Sequence, residues 1–239
     1  MALTDDLLAY WDLDEESGVR TDEISSMELV DNNTVLYATG VLTNAADFVD
    51  SNSEYLSVAD NATLSFGDED FTIQAWVNLD DVDAHHPIIS KRKNSGASVT
   101  EYDLLYNDTA ERFRFMVAEF GTTNWGAVNA DELGVPTPGT WYHIIAYHDA
   151  ANDLLGIVID AGAPDTEAYS DGCADGDSPF EIGGRFRSGT PEYLDGKVDE
   201  VGIWGRVLTS DERSQLYNSG NGLVYPLTAV FVPKTAWIF

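Results

Sequence analysis

The sequence predicts an all-β fold, in which two antiparallel sheets form a sandwich and one short helix lies near the C-terminal end. Short apolar runs are separated by Gly, Asp, Asn and Ser, several runs alternate apolar with polar residues, and one segment carries helix signals. Regularly spaced short strands with turn residues between them are typical of β-sandwiches. At 239 residues, the chain is long enough for one large domain of this kind.

The predicted strands follow the chain in order, and residues 71–77 and 112–118 alternate in polarity. The others cover residues 87–90, 102–106, 141–147, 154–160 and 180–183. The polar turn 149–153 predicts a hairpin between two of them. Trp76 lies on the second face of its strand, which indicates that this face is covered as well.

A last long strand is predicted to contain a β-bulge. Leu194 and Val198 lie on one phase of the two-residue period, whereas Val201 and Ile203 lie on the other. A regular strand would send one of these pairs to solvent. One extra residue near Asp199 keeps both pairs on the core face.

A short helix is predicted directly after this strand. Thr209 is placed to be the N-cap and Glu212 follows it by three residues, which is the spacing of a capping box. Acidic residues in the first turn also suit the helix dipole. Gly220 is predicted to end the helix.

Four motifs, in the expected order, resemble those of a known family. They are the opening strand 7–18, the paired segments 46–58 and 71–77, the strand entry Trp141-Tyr142-His143, and the segment 193–217. Together they are similar to laminin-G-like, concanavalin A-like domains, a family that includes pentraxin-like domains and many carbohydrate-binding modules. The resemblance implies a concanavalin A-like jelly roll over residues 1–222 and says less about function.

The same resemblance implies a structural calcium ion near the crossing of the first and last strands. Such an ion takes about six to eight oxygen ligands. The residue that matches the family's acidic ligand is Asp199, and the expected companions are Asp12, Asp14, Asp50, Asn52 and Glu54. The alternative is that Asp199 only hydrogen-bonds the backbone around the bulge.

Sugar binding is also implied by the resemblance, through aromatic side chains that stack on sugar rings. The candidates lie in or beside loops and are Trp125, Tyr102, Tyr106 and Tyr169. Core packing is the alternative for each of them. Related glucanases place two carboxylates about 5 Å apart on one strand. Glu101-Tyr102-Asp103 is the nearest fragment here and lacks the third carboxylate of that pattern, so we expect no enzymatic activity.

The charge of the chain limits its partners. The formal net charge is −30, with 12 lysines and arginines against 42 acidic residues. A field of this sign repels phosphate, which argues against nucleic acid and anionic lipid as partners. Molar salt screens exposed charges within about 3 Å. We therefore expect a halophilic or marine source, the alternative being an acidic protein of ordinary surroundings.

The C-terminal extension 223–239 is more apolar than an exposed surface can be. Pro226 and Pro233 prevent a continuous helix, so we expect an extended segment. Apolar extended termini need cover, and we expect this one to dock on a neighbouring subunit in a homo-oligomer. The alternative is an ordinary last strand of the same domain.

Two functions are compatible with these features. The first is a non-enzymatic structural and adhesion module on a virion of a tailed virus, associated with other particle proteins and with cell-surface glycans. The second is a free-standing carbohydrate-binding domain similar to a lectin. The N-terminus has no basic and apolar signal sequence, and no segment has the length of a membrane span. We expect synthesis in the cytoplasm, final placement on a virion or extracellular surface, and no membrane insertion.

Overall fold

A computed structural model describes residues 1–93, 99–119, 124–187 and 189–227. Two antiparallel sheets pack face to face, as predicted, and their facing sides form the main core. The strands are β1 (Leu7–Trp11), β2 (Val30–Asn32), β3 (Leu36–Thr39), β4 (Asn44–Phe48), β5 (Tyr55–Val58), β6 (Phe71–Leu79), β7 (His86–Lys93), β8 (Val99–Asn107), β9 (Arg112–Ala118), β10 (Trp125–Asn129), β11 (Trp141–Asp149), β12 (Leu154–Ile159), β13 (Asp165–Ala168), β14 (Phe180–Ile182), β15 (Gly184–Arg187), β16 (Thr190–Tyr193) and β17 (Gly196–Trp204). The α-helix is α1 (Ser210–Tyr217).

The strand order shows how distant parts of the chain meet. In the eight-stranded sheet the order is β13-β12-β11-β6-β17-β4-β3, and β1 also pairs with β17. In the seven-stranded sheet the order is β10-β9-β8-β7-β14-β5-β2. The hairpin of β15 and β16 packs beside β7. The late strands β14 and β15 therefore lie next to strands from the first half of the chain.

A second, smaller core covers the outer face of the eight-stranded sheet. It contains Tyr10, Trp204, Leu216 and Leu227, and the Trp204 indole donates a hydrogen bond to the Leu3 carbonyl at 2.6 Å. Trp76, on the same face, is 3% exposed and stacks on Tyr217 of α1 at 5.8 Å. The prediction that this face is covered is confirmed.

The β-bulge lies where the two-residue period changes phase. Against β6, the register of β17 shifts between Asp199 and Gly202, and Glu200 has a positive φ of 51°. Val198 and Val201 are both fully buried as a result. The bulge prediction is confirmed.

The helix begins as predicted and ends earlier than predicted. The Thr209 hydroxyl accepts a hydrogen bond from the Glu212 N–H, and the Glu212 carboxylate accepts one from the Thr209 N–H at 2.9 Å, so the capping box is confirmed. The stop at Gly220 is wrong. Asn218 adopts the left-handed conformation, with φ of 47°, and ends the helix at Tyr217, because asparagine is one of the few residues that tolerate this conformation.

The first residues of the C-terminal extension pack on their own domain. Leu227 is 4% exposed in the second core, and the Tyr225 ring stacks on Tyr10 at 5.4 Å. Residues 228–239, on which the prediction of subunit docking depends, lie outside the described residues. Among the residues that are described, no helix is long and apolar enough to cross a bilayer.

Candidate functional site

Asp199 holds the loop that follows β3. Its side chain is fully buried, and Oδ2 accepts a hydrogen bond from the Val41 N–H at 2.7 Å. Its Oδ1 is buried without a hydrogen-bond partner. Burial is the main cause that raises the pKa of this carboxyl to about 7, and the charge of Asp14 adds to it. Asp199 thus hydrogen-bonds the backbone at Val41, in a loop that is distant along the chain from the bulge, and both predicted roles of this residue stay predictions.

Three more carboxyl groups lie near Asp199 at the crossing of β1 and β17. Asp14 accepts hydrogen bonds from the Asn44 N–H at 2.9 Å and from the Thr43 hydroxyl. Burial raises the pKa of Asp12 to about 6. Glu200, beside Asp199, is 3% exposed, and burial raises its pKa to about 9. Asp12, Asp14, Asp199 and Glu200 therefore form an acidic cluster on the eight-stranded sheet.

The other predicted calcium ligands lie elsewhere. Glu54 accepts hydrogen bonds from the Val49 N–H at 2.8 Å and from the Asn52 amide at 3.0 Å. Asp50 lines a separate cavity with His85. The part of the chain that the structure describes contains no group of three or more His, Cys, Asp or Glu side chains placed to hold a metal ion. The unpartnered Oδ1 of Asp199 fits a cation, so calcium there stays a prediction that would need backbone oxygens as further ligands.

Three of the four predicted sugar-stacking residues are part of the core. Tyr102 is fully buried, and its hydroxyl donates to the Leu64 carbonyl at 3.0 Å. Tyr106 is 1% exposed, and Tyr169 is 7% exposed with its hydroxyl bonded to the Gly172 carbonyl at 3.2 Å. A buried ring offers no face to a ligand, so these three predictions are wrong. Their strand neighbours explain the error, since Tyr102 and Tyr106 share the phase of the buried Leu104.

Trp125, the fourth candidate, is 59% exposed at the edge of a cavity of about 320 Å³. The cavity lies on the outer face of the seven-stranded sheet. In β9, Phe113 and Phe115 point into the core, which places Arg114 and Met116 on the opposite face. The described residues that line the cavity are His85, Arg92, Thr100, Leu105, Asn107, Arg114, Met116, Ala118, Trp125, Arg185 and Arg187.

The base of the cavity is held by buried ion pairs. Asp103 of β8 is 1% exposed, and its Oδ2 lies 3.0 Å from Arg92 and 3.6 Å from Arg185. Arg185 also pairs with Glu192 of the neighbouring β16. These pairs fix two guanidinium groups from strands that are far apart in sequence. The cavity is therefore preformed in its polar part.

The carboxylates nearest to a glycosidase pattern are each paired with a cation. Glu101 lies 2.6 Å from the Lys91 ammonium, and both side chains are fully buried. Asp103 is paired with Arg92, as described above. A glycosidase needs one carboxyl group as an acid and a second as a nucleophile or base facing the same bond. Glu101 and Asp103 are instead engaged in ion pairs of the fold.

The arginines of the cavity were not among the predicted site residues. Arg112-Phe113-Arg114-Phe115 and Arg185-Phe186-Arg187 alternate a cation with an aromatic residue. In a chain with only 12 basic residues, this repetition places arginines on the outer face of two strands. This alternation of arginine and aromatic residues could have identified a cationic face on each strand. It does not predict that β9 and β15 lie close to each other in the fold.

Comparison with solved structures finds the same fold in several binding domains. The binding domain of Paraclostridial Mosquitocidal Protein 1 is 16% identical, with a TM-score of 0.70 over 91% of this chain and 53% of that chain. The binding domain of Botulinum Neurotoxin DC, in complex with SialylT, is 11% identical, with a TM-score of 0.68 over 91% and 52%. The chain spans about half the length of these two domains.

A third similar structure is of the same size as this chain. Domain 4 of AbnA, an extracellular GH43 arabinanase from Geobacillus stearothermophilus, in complex with arabinotriose, is 16% identical, with a TM-score of 0.62 over 87% of this chain and 97% of that chain. No curated protein matches the chain. The profile of the concanavalin A-like lectin/glucanase superfamily matches residues 50–212, which is more than half of the sequence. The chain therefore belongs to the concanavalin A-like lectin/glucanase superfamily.

Proposed function

We propose that the protein is a non-enzymatic, lectin-like module that binds a glycan in the cavity around Trp125. The observation that carries this proposal is the exposed indole, 59% accessible, at the edge of a preformed polar cavity. Sugar rings present apolar faces to aromatic side chains, and their hydroxyls need hydrogen-bond partners at the rim. Asn107, Thr100 and the arginines supply such partners here.

The similar structures support a binding role. One is a domain in complex with arabinotriose, and another is a binding domain in complex with SialylT. We extend glycan binding from these proteins to this chain because its cavity has an aromatic edge of its own.

Trp125→Ala is expected to lower glycan affinity by on the order of tenfold, because it removes the stacked contact between the indole and a sugar ring together with the apolar area that this contact buries. Binding is measured on a glycan array and then by calorimetry with the best neutral and anionic glycans. Tyr37→Ala is the matched control, since Tyr37 is 45% exposed and lies on β3 of the other sheet. Equal affinity of the Trp125 variant and the native protein would contradict the proposed site.

We further propose that this module serves adhesion on a virion as part of a homo-oligomer. The support is the apolar composition of residues 223–239 on a chain with a net charge of −30. In molar salt, the full chain is expected to be an oligomer and a chain ending at Leu227, which keeps Tyr225 and Leu227 on the second core, a monomer, as measured by light scattering. If both are monomers, the free-standing carbohydrate-binding domain is the better account.

A further inference from the structure

The cavity around Trp125 has a charge opposite to that of the whole protein. The chain carries 42 acidic residues and 12 basic ones, yet the described lining of this cavity contains four arginines and no Asp or Glu. Half of the eight arginines in the sequence thus face one small volume. Like charges held this close repel one another unless carboxylates neutralise them, and Asp103 and Glu192 do so for Arg92 and Arg185. The charge that remains, on Arg114 and Arg187, suggests an anionic ligand.

Two of these arginines are short of counter-charge. Arg114 donates from Nε to the side-chain amide oxygen Oδ1 of Asn129 at 2.7 Å, and among the described residues no ion pair joins Arg114 to a carboxylate. The pKa of Arg114 is lowered, first by burial and then by the charge of Arg187, and the charge of Asp131, which pairs with Arg112, opposes this only in part. Arg187 is exposed, and its nearest carboxylate is that of Glu192, at 3.9 Å. Both guanidinium groups therefore retain donors for a ligand.

Arg92 and Arg185 have a different role in the same cavity. Each is paired with the buried carboxylate of Asp103, and Arg185 is paired with Glu192 as well. They form the fixed floor, whereas Arg114 and Arg187 face the opening. Guanidinium groups bind carboxylates through two parallel hydrogen bonds. The opening therefore suits a planar carboxylate beside a ring that stacks on Trp125.

The surrounding charge limits the size of the anion. Asp108 and Glu192 lie in the adjoining cavity, which shares His85 and Arg187 with this one. A long polyanion would have to cross this acidic surface, where the net field repels it. A glycan with a single charged residue can place its carboxylate among the arginines and leave its neutral part outside. This favours a sugar acid over a sulfated or phosphorylated polymer.

We propose that the glycan bound beside Trp125 carries a carboxylate, as a sialic acid or a uronic acid does, and that Arg114 and Arg187 bind this group. This inference rests on the proposed function and names the ligand class of the same site. Arg114 is expected to form charge-assisted hydrogen bonds with the carboxylate of the ligand, and Arg187 donates to the same carboxylate from the solvent-exposed side. Trp125 stacks on the sugar ring.

Calorimetry on the full chain with matched glycans tests this proposal. The probes are sialyllactose against lactose, and a glucuronic acid disaccharide against its glucose counterpart. We expect the acidic member of at least one pair to bind on the order of tenfold more tightly, because hydrogen bonds to charged groups are the stronger class. Arg114→Gln is expected to remove this preference, and Arg114→Lys to restore part of it.

Arg213→Gln is the control, because it removes the same charge from α1, where the guanidinium lies over the Tyr147 ring at 5.4 Å. It should leave the preference for acidic glycans unchanged. Thermal unfolding of each variant shows whether it is folded, and if Arg114→Gln is unfolded, Arg187→Gln replaces it. Tight binding of neutral and acidic members alike overturns this inference and leaves the proposed function standing. Absence of binding to every probe overturns both.

Discussion

Replacing Lys91 with methionine is expected to lower the free energy of unfolding by about 3–5 kcal/mol, because it leaves a buried carboxylate without its counter-ion. The Lys91 ammonium lies 2.6 Å from Glu101 and 2.7 Å from Asp60, and it donates to the Ser65 hydroxyl at 3.0 Å. Lys91 and Glu101 are both fully buried. Asp60 is 37% exposed, so water replaces its partner, but Glu101 has no such replacement.

Denaturant unfolding at constant salt, at pH 5 and at pH 8, measures this loss. Burial raises the pKa of Glu101 above its usual value. The loss should be smaller at pH 5, where more of the unpaired Glu101 is protonated and needs no counter-ion. Replacing Lys91 and Glu101 together by apolar residues should recover most of the stability.

Lys197→Met is the matched control for this pair. The Lys197 ammonium lies 2.7 Å from the Asp80 carboxylate, and the Lys197 side chain is 22% exposed. Because water can reach this pair, the variant should lose no more than about 1 kcal/mol of unfolding free energy. Equal losses at Lys91 and Lys197 would show that burial of the first pair has no special energetic role.

Glu200 is expected to make the fold less stable as the pH rises from about 5 to 9. Its pKa is about 9 in the folded chain, with burial as the first cause and the charge of Asp199 as a further one, against about 4.5 for a free side chain. Below pH 4.5 both states hold the proton. Between pH 4.5 and pH 9 only the folded state keeps Glu200 protonated, so the free energy of unfolding falls by up to about 1.4 kcal/mol per pH unit. Above pH 9 Glu200 is ionised in both states and causes no further change.

Glu200→Gln tests this dependence by keeping the shape of the side chain and its bond to the Tyr10 hydroxyl while removing the titration. The free energy of unfolding of the variant, measured at pH 5, 7 and 9, should fall less with pH than that of the native protein. Asp199 contributes in the same direction up to about pH 7, and it remains in both proteins. Glu16→Gln, at an exposed carboxylate, is the control. Parallel curves for native protein and the Glu200 variant would contradict a protonated Glu200.

The fold could be predicted because its signals are local. Alternation fixed the inner face of strands such as β9, and the change of phase at Asp199 located the bulge. The Thr209–Glu212 spacing located the helix start. The end of the helix was missed because asparagine and glycine both adopt the left-handed conformation, and only Asn218 lies directly after the last turn.

The site could be predicted only in part because it depends on contacts between distant strands. Trp125, one of the four predicted sugar-binding residues, is exposed at the start of β10. Tyr102 was misjudged because its strand was considered without its phase, which it shares with Leu104. The meeting of Arg114 with Arg185 requires β14 to insert between β7 and β5, and no local pattern predicts that order.

The most direct test of glycan binding beside Trp125 is a nuclear magnetic resonance titration of the full chain with sialyllactose and with lactose, with the six tryptophan indoles labelled. Trp125→Phe assigns its own signal. Glycan bound beside Trp125 should shift the signal of its indole, whereas the signals of Trp11 and Trp204, which are fully buried, should not move. Saturable binding with no change at Trp125 would contradict it and place the glycan elsewhere on the domain.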